Sequence, residues 1–197
     1  RVNRKLGTRI TMSLGLLLNG MALFMFSQIA ALHTNYGFFL IVLLLNGAGI
    51  GFTMSPATTA IMNSLPPNRA GIGSAMNDTT RQLGGALGIA VLGAVMNSLY
   101  RSGVGSLQGI KGISDSLFQS IQGSVQSAQA ASVNLSAEIS TLISQVSRQA
   151  FVDGMKESFL LGSIAMMIAA VAAMLILPAA KKEDENVKEI VKDSEAI

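Results

Sequence analysis

The chain contains no cysteine and no tryptophan, and His33 is its one histidine. Without cysteine, neither a disulfide framework nor a thiolate metal site can form. A single imidazole cannot supply a cluster of metal ligands. Charged residues are also scarce, at 13% of the 197 residues, whereas a soluble protein carries about 25%. The scarcity of charge indicates a chain that lipid, rather than water, surrounds over much of its length.

The sequence lacks the residues that nucleic-acid binding and enzymatic catalysis require. The net charge of +3 comes from scattered basic clusters, and aromatic residues make up 5% of the chain. Neither a basic binding surface nor a stacking platform is therefore expected. The apolar runs contain no histidine, no cysteine and no pair of acids for acid/base or metal-assisted chemistry. We expect no nucleic-acid partner, no enzymatic activity, no catalytic residue, and no metal or other cofactor.

Long apolar runs are what the sequence has instead. At about 1.5 Å of helical rise per residue, a run of about 20 residues crosses a hydrocarbon core of about 30 Å. A backbone in lipid must satisfy its own hydrogen bonds, which favours helices over open strands. The sequence therefore predicts an all-α, polytopic bundle of four transmembrane helices, at residues 10–32, 38–65, 71–100 and 158–178.

The positions of lysine and arginine predict the orientation of these helices. Basic residues occur in the segments 1–9, 66–70 and 179–197, which are the loops and the tail on one side of the bundle. Because cytoplasmic loops are enriched in lysine and arginine, we expect both ends of the chain to be cytoplasmic, in a multi-pass protein of the cell membrane. The chain begins at Arg1 rather than at methionine, so we interpret it as a fragment.

The segment 101–157, between the third and fourth predicted spans, is then a long external loop. It is rich in serine, glutamine, glycine and alanine, and two groups of its apolar residues recur at helical spacing. These groups are Ile121, Val125 and Ala128, followed by Leu135, Ile139, Leu142 and Val146. The pattern is typical of two weakly amphipathic helices, with a mobile linker as the alternative that it leaves open.

Small and polar residues share one face of the second predicted span. They are Asn46, Gly49, Thr53, Pro56 and Ala60. Their spacing places all five on the same side of a helix, where they either pack tightly against another helix or line a cavity. Gly49 permits a close approach of two backbones, and Pro56 is expected to bend the helix. In the first span, Asn19 is expected to make one interhelical hydrogen bond.

The third predicted span carries two distinct stripes. Gly84 and Gly88 form a small-xxx-small pair for contact with another helix, and Asn77 lies on about the same side. The second stripe comprises Asp78, Gln82, Gly85, Ile89 and Met96. Gly85 is also small enough for helix packing. The polar residues of both stripes are candidates for a path through the protein.

Asp78 is the one acidic residue within the four predicted spans. An ionisable group inside a membrane is costly and is a functional candidate. Burial favours the neutral form of a carboxyl group, so that Asp78 could exchange a proton at physiological pH. The alternative is a structural ion pair with Arg81, three residues further along the helix. Candidates for the substrate or proton path are Asp78, Asn77, Gln82, Asn46 and Thr53.

Several segments resemble one family of transporters. The stretch GIGSAMNDTTRQLGGALGIA, residues 71–90, resembles the thirteenth helix of the fourteen-helix drug:proton antiporters of the major facilitator superfamily. The segment MSPATTAIM, which begins at residue 54, is similar to the end of helix twelve in these transporters. PPNRAG, which begins at residue 66, is similar to the loop after that helix, and FVDGM, which begins at residue 151, is similar to the entry of helix fourteen.

The basic segment before the first span also resembles a motif of this superfamily. Arg4, Gly7 and Arg9 match the tail of its basic cytoplasmic loop motif. Asn3 stands where the family usually has an acidic residue, so a charge-relay role for this loop is not expected.

The resemblance implies that the four helices are the last four of fourteen, with the second and third spans lining a central cavity. It implies export of a small molecule by alternating access, driven by a proton gradient without a cofactor. The expected partners are membrane lipids, the substrate, and the N-terminal helices of the same protein.

The substrate class follows from the same comparison. Relatives that export organic cations carry acids along the equivalent of the third span, where this sequence has Asp78 but also Asn77 and Gln82. Lipophilic, neutral or monocationic compounds are therefore expected. A lipid or metabolite exporter of the same fold, and a non-transport four-helix membrane scaffold, are the alternatives.

Overall fold

The computed structural model describes residues 2–29, 36–133 and 135–177, and every regular element in these residues is helical. The α-helices are α1 Val2–Ile29, α2 Tyr36–Asn63, α3 Ala70–Gly103, α4 Asp115–Gly123, α5 Val125–Ser132 and α6 Ala137–Ile176. Two 3-10 turns, Pro67–Arg69 and Val104–Leu107, lie directly before and after α3.

Four of the described helices are long and apolar enough to cross a membrane. Their apolar stretches are Leu6–Gln28, Tyr36–Met62, Ala70–Leu107 and Ala137–Ile176. Each exceeds the length of about 20 residues that a hydrocarbon core of about 30 Å requires. The prediction of an all-α bundle with four transmembrane helices is confirmed.

The chain divides into two compact units. Among the described residues, the first takes in 2–25, 36–89 and 162–177, and the second takes in 26–29, 90–133 and 135–161. Helices α1, α3 and α6 each contribute residues to both units, whereas α4 and α5 belong to the second alone.

In the first unit, α1 and α2 approach each other at two glycines. A Cβ atom built on Gly15 would clash with the Thr53 side chain and would lie 2.9 Å from the Gly49 carbonyl oxygen. A Cβ atom on Gly49 would lie 2.7 Å from Asn19 Oδ1. Because neither glycine has a side chain, the two backbones pack directly against each other, as small residues allow in membrane helices.

The same unit contains two further contacts between helices. Gly20 of α1 faces α6, where a Cβ atom on the glycine would lie 3.3 Å from Met167 Cγ. Gly73, in the first turn of α3, is buried against the end of α2 and the turn after it; a Cβ atom there would lie 3.5 Å from Met62 Sδ and 2.8 Å from Leu65 Cδ1.

The second unit has its own apolar core, built by the end of α3, the two short helices and the first half of α6. Its buried residues are Tyr100, Val104, Leu107, Ile113, Phe118, Ile121, Ala128, Ile143 and Ala150. The buried Tyr100 hydroxyl donates a hydrogen bond to the Ile121 carbonyl oxygen at 2.8 Å, which ties the end of α3 to α4.

Serine hydroxyls determine where the two short helices begin. Ser114 Oγ accepts a hydrogen bond from the Leu117 N–H at the start of α4. Ser124, in extended conformation, follows α4, and its Oγ accepts from the Ser127 N–H at the start of α5. A side-chain oxygen of this kind satisfies an N–H group that lacks a partner in the first helical turn. Ser124 thus separates α4 from α5.

The structure differs from the prediction at the start of the fourth long helix. We predicted that this helix begins at Ser158, after an external loop; it begins at Ala137 instead. No proline interrupts residues 137–176, and the first half has an apolar face of its own, on which Ile143 is fully buried. The predicted apolar group of Leu135 to Val146 therefore belongs mostly to α6, and only α4 and α5 form separate helices.

The basic segment 1–9 also differs, since it is largely helical rather than a loop. Helix α1 begins at Val2 and is broken at Gly7, whose backbone angles are φ 77° and ψ 160°. A positive φ is readily adopted by glycine. The Thr11 hydroxyl donates to the Gly7 carbonyl oxygen at 2.9 Å, just after the break. Three predicted regions lie outside the described residues. They are the end of the first span at residues 30–32, the last residue of the fourth span at 178, and the tail at 179–197.

Candidate functional site

Asp78 and Arg81 form an ion pair on α3. Arg81 Nη2 donates to Asp78 Oδ1 at 2.8 Å; the Arg81 side chain is 53% exposed and the Asp78 side chain is 51% exposed. Helical side chains tilt towards the N-terminus, so an arginine at position i+3 reaches back to an aspartate at position i. Of the two arrangements left open for Asp78, the structure shows the ion pair; a role in proton exchange stays a prediction.

The pair lies well inside a long helix. Asp78 follows Ala70, the first residue of α3, by eight residues, which corresponds to about 12 Å along the axis. The helix has 34 residues and is therefore about 50 Å long, compared with about 30 Å for a hydrocarbon core. Asp78 and Arg81 are the charged residues of the sequence between Arg69 and Arg101.

The polar residues beside Asp78 divide between two sides of α3. Asn77 follows the buried Gly73 by four residues and is half-buried, which places it towards the side that contacts α2. Gln82 follows Asp78 by four residues and is exposed, as Asp78 is. The face formed by Asp78, Arg81 and Gln82, here called the polar face of α3, is thus open in the described part of the chain.

The predicted face of α2 contacts α1. Asn46 Nδ2 donates to Asn19 Oδ1 at 3.3 Å, and Asn19 is 6% exposed. Thr53 donates to the carbonyl oxygen of Gly49 in its own helix at 2.8 Å, directly at the crossing with α1. Of the two alternatives for this face, the structure shows tight packing. The expected hydrogen bond of Asn19 is present, whereas a place for Asn46 and Thr53 in a substrate path stays a prediction.

Pro56 is fully buried within α2, which continues to Asn63.

The glycines in the middle of α3 do not contact another described helix, unlike Gly15, Gly20 and Gly49 of α1 and α2. A Cβ atom built on Gly84, Gly85 or Gly88 would have no atom of the described residues within 4 Å. If these glycines serve helix packing, as predicted, their partner lies outside the described residues.

The predicted loop motif falls on the first turns of α1. Arg4 lies before the break at Gly7, and Arg9 lies after it. Arg9 Nε is buried and has no hydrogen-bond partner within the part of the chain that the structure describes.

Two cavities were not predicted from the sequence. One, of about 150 Å³, lies in the second unit beside Asn97, Tyr100 and Phe151. The other, of about 240 Å³, has an apolar lining from α1 and α6 that includes Leu14, Leu17 and Met174. Asn97 was a weak signal for the first, since it interrupts an apolar run. No metal-binding group of three acidic or histidine residues occurs in the ranges that the structure describes.

The four helices that are long and apolar enough to cross a membrane indicate a multi-pass membrane protein. The chain belongs to the Major Facilitator Superfamily, because the model of that family matches residues 1–105, more than half of its length.

Two of the curated relatives that the chain matches are named for multidrug resistance or efflux. The chain is 33% identical over 94 residues to the "Multidrug resistance protein Stp" of Mycobacterium tuberculosis, covering 47% of this chain and 17% of that protein. It is 29% identical over 132 residues to the "Multidrug efflux pump LfrA" of Mycolicibacterium smegmatis, covering 67% and 24%. The chain thus matches less than a quarter of the length of either relative. No solved structure matches it. The predicted membership of the major facilitator superfamily is confirmed, and the chain is similar to two proteins named for multidrug resistance or efflux.

Proposed function

We propose that the chain is the C-terminal part of a proton-coupled multidrug antiporter, which exports lipophilic or cationic compounds by alternating access. The family match supports transport, and the names of Stp and LfrA support multidrug efflux. The observation that carries the proposal is the polar face of α3, because it places two charged groups within a helix that is long and apolar enough to cross a membrane. Charged residues within membrane helices are typical of substrate and ion pathways.

The four long helices would be the last four of fourteen, with α2 and α3 beside the central cavity. Two observations support this arrangement: the open glycines Gly84 and Gly88 leave a surface for helices from the N-terminal part of the protein, and the exposed polar face of α3 leaves polar groups for the cavity. The partners are then those helices, membrane lipids and a small-molecule substrate, with no nucleic acid. Both ends of the chain would face the cytoplasm at the cell membrane.

The ion pair suggests how a proton acts on α3. The ionised Asp78 carboxylate holds the Arg81 guanidinium at 2.8 Å. A proton on Asp78 would remove the negative charge and free the guanidinium to find another acceptor. Such a change alters the charge and the free hydrogen-bond donors on the polar face of α3. It can therefore shift the equilibrium between the two states that the transporter reaches when one half rocks against the other. In this proposal the proton gradient supplies the energy, and the protein acts as a carrier rather than an enzyme, without a cofactor.

Ethidium export tests the function. The full-length reading frame is expressed in a host that lacks its own efflux pumps, and export is followed with and without a proton uncoupler. We expect export that the uncoupler abolishes. Export that persists with the uncoupler would contradict proton coupling. No export of ethidium or of the uncharged lipophilic dye Nile red, with the protein present in the membrane, would contradict multidrug efflux and favour a lipid or metabolite exporter of the same fold.

A further inference from the structure

We propose that Arg81 is a specificity-determining residue, which balances the charge of Asp78 and so favours uncharged, oxygen-bearing lipophilic substrates over cations. This inference rests on the proposed function. It starts from the 2.8 Å ion pair between the two side chains, both about half exposed on the polar face of α3.

The net charge of the polar face is zero. The attraction of a cation to Asp78 and its repulsion by Arg81 both vary inversely with distance. Because the two charged groups are 2.8 Å apart, a cation that is several times farther away is almost equally distant from each, and the two energies largely cancel. Gln82, the third member of the face, has a neutral amide. The polar face therefore offers a cation little net attraction.

A cation that is to bind Asp78 directly must first displace the guanidinium. Arg81 lies on the same helix as Asp78, three residues away, and its N–H already donates to Asp78 Oδ1. A competitor that is attached to the same element acts at a high effective concentration. The free cation thus competes against a group that never diffuses away.

The pair can still bind polar groups of a neutral molecule. A guanidinium carries five N–H donors, and the structure shows one of them in the hydrogen bond to Asp78. The other donors suit carbonyl, ether and hydroxyl oxygens, and the remaining carboxylate lone pairs accept hydrogen bonds from hydroxyl groups. These donors and acceptors are accessible within the described part of the chain, because the three side chains of the polar face, Asp78, Arg81 and Gln82, are exposed there. This combination fits an uncharged lipophilic molecule that bears oxygen atoms.

The test compares two dyes in the full-length transporter. Ethidium is the lipophilic cation, and Nile red is the uncharged lipophile that bears carbonyl and ether oxygens. The ratio of their export rates is measured in pump-deficient cells, with the amount of protein in the membrane determined for each variant. We expect Arg81→Gln to raise the ethidium to Nile red ratio about tenfold, as expected for one charge that is no longer compensated.

Three variants separate charge balance from other effects. Asp78→Asn leaves Arg81 uncompensated and should lower the ratio, even if it slows both dyes. The double variant D78N/R81Q is neutral again and should return the ratio towards the wild-type value. Arg81→Lys keeps the charge and should leave the ratio near the wild-type value, as should Arg101→Gln at the other end of α3.

The outcomes distinguish this inference from the proposed function. If the wild-type protein exports neither dye, the proposed function fails, and the inference fails with it. If it exports a dye but Arg81→Gln and Asp78→Asn both keep the wild-type ratio, the function stands and the inference is overturned. Should Arg81→Gln fail to reach the membrane, a ratio unchanged in Asp78→Asn would overturn the inference by itself.

Discussion

Asn46 of α2 donates a hydrogen bond to Asn19 of α1 at 3.3 Å, beside Gly49, which brings the two backbones together. The two amides pair with each other within the helix contact. A polar pair in this position stabilises one particular alignment of two helices, because a shift along the axis would leave both amides without their partner.

The coupling between the two amides can be measured. We expect Asn19→Leu and Asn46→Leu each to reduce the stability of the folded protein, and the double variant to lose less than the sum. The expected coupling energy is about 0.6 kcal/mol, the average for hydrogen bonds between membrane helices. Unfolding by detergent denaturation of the purified full-length protein provides the measurement. Fully additive losses would mean that the hydrogen bond contributes nothing.

Gly49 and Gly47 form a matched pair within α2. A Cβ atom on Gly49 would lie 2.7 Å from Asn19 Oδ1, whereas one on Gly47 would meet nothing within 4 Å among the described residues. We expect Gly49→Ala to destabilise the protein by about 1–3 kcal/mol, because the added methyl group overpacks the contact. Gly47→Ala should leave the thermal unfolding temperature nearly unchanged. Equal effects of the two substitutions would contradict the close α1–α2 crossing.

The Tyr100 hydroxyl ties α3 to α4 through the Ile121 carbonyl oxygen. We expect Tyr100→Phe to cost about 1 kcal/mol, since the buried carbonyl loses its donor. Hydrogen exchange measured by mass spectrometry should become faster in α4, which ends just beyond Ile121. Tyr36, which is 77% exposed, provides the control: Tyr36→Phe should leave exchange in α4 unchanged. Unaltered exchange in Tyr100→Phe would mean that apolar packing alone holds α4.

Asp78 is the proposed proton-responsive group of α3. We expect Asp78→Asn in the full-length protein to slow proton-coupled efflux without abolishing it, because the amide neither takes up a proton nor holds Arg81 by charge. Uncoupler-sensitive dye export and drug resistance are the measurements, and Gln82→Glu adds an acid to the same face as a comparison. Unchanged coupling and resistance in Asp78→Asn would rule out this role.

The helices themselves could be predicted from local sequence. Residues 10–29 and 36–63 contain no charge, and a helix is the simplest way for a backbone in lipid to satisfy every N–H and C=O group. The spacing of Asn46, Gly49 and Thr53 likewise predicted that they share one side of α2. The pairing of Asp78 with Arg81 was available as an alternative from their separation of three residues alone.

Tertiary structure decided which of the predicted faces have a partner. Asn46 and Gly49 face α1, whereas Gly84 and Gly88 face no other described helix. In each pair the two residues lie three or four positions apart, on one side of their own helix. It also decided that α6 continues upstream of Ser158, where Ile143 and Ala150 join the core around Tyr100. Helix formation depends on interactions within a few residues of the chain. The choice of a packing partner depends on residues far apart in sequence, so spacing within one helix does not determine it.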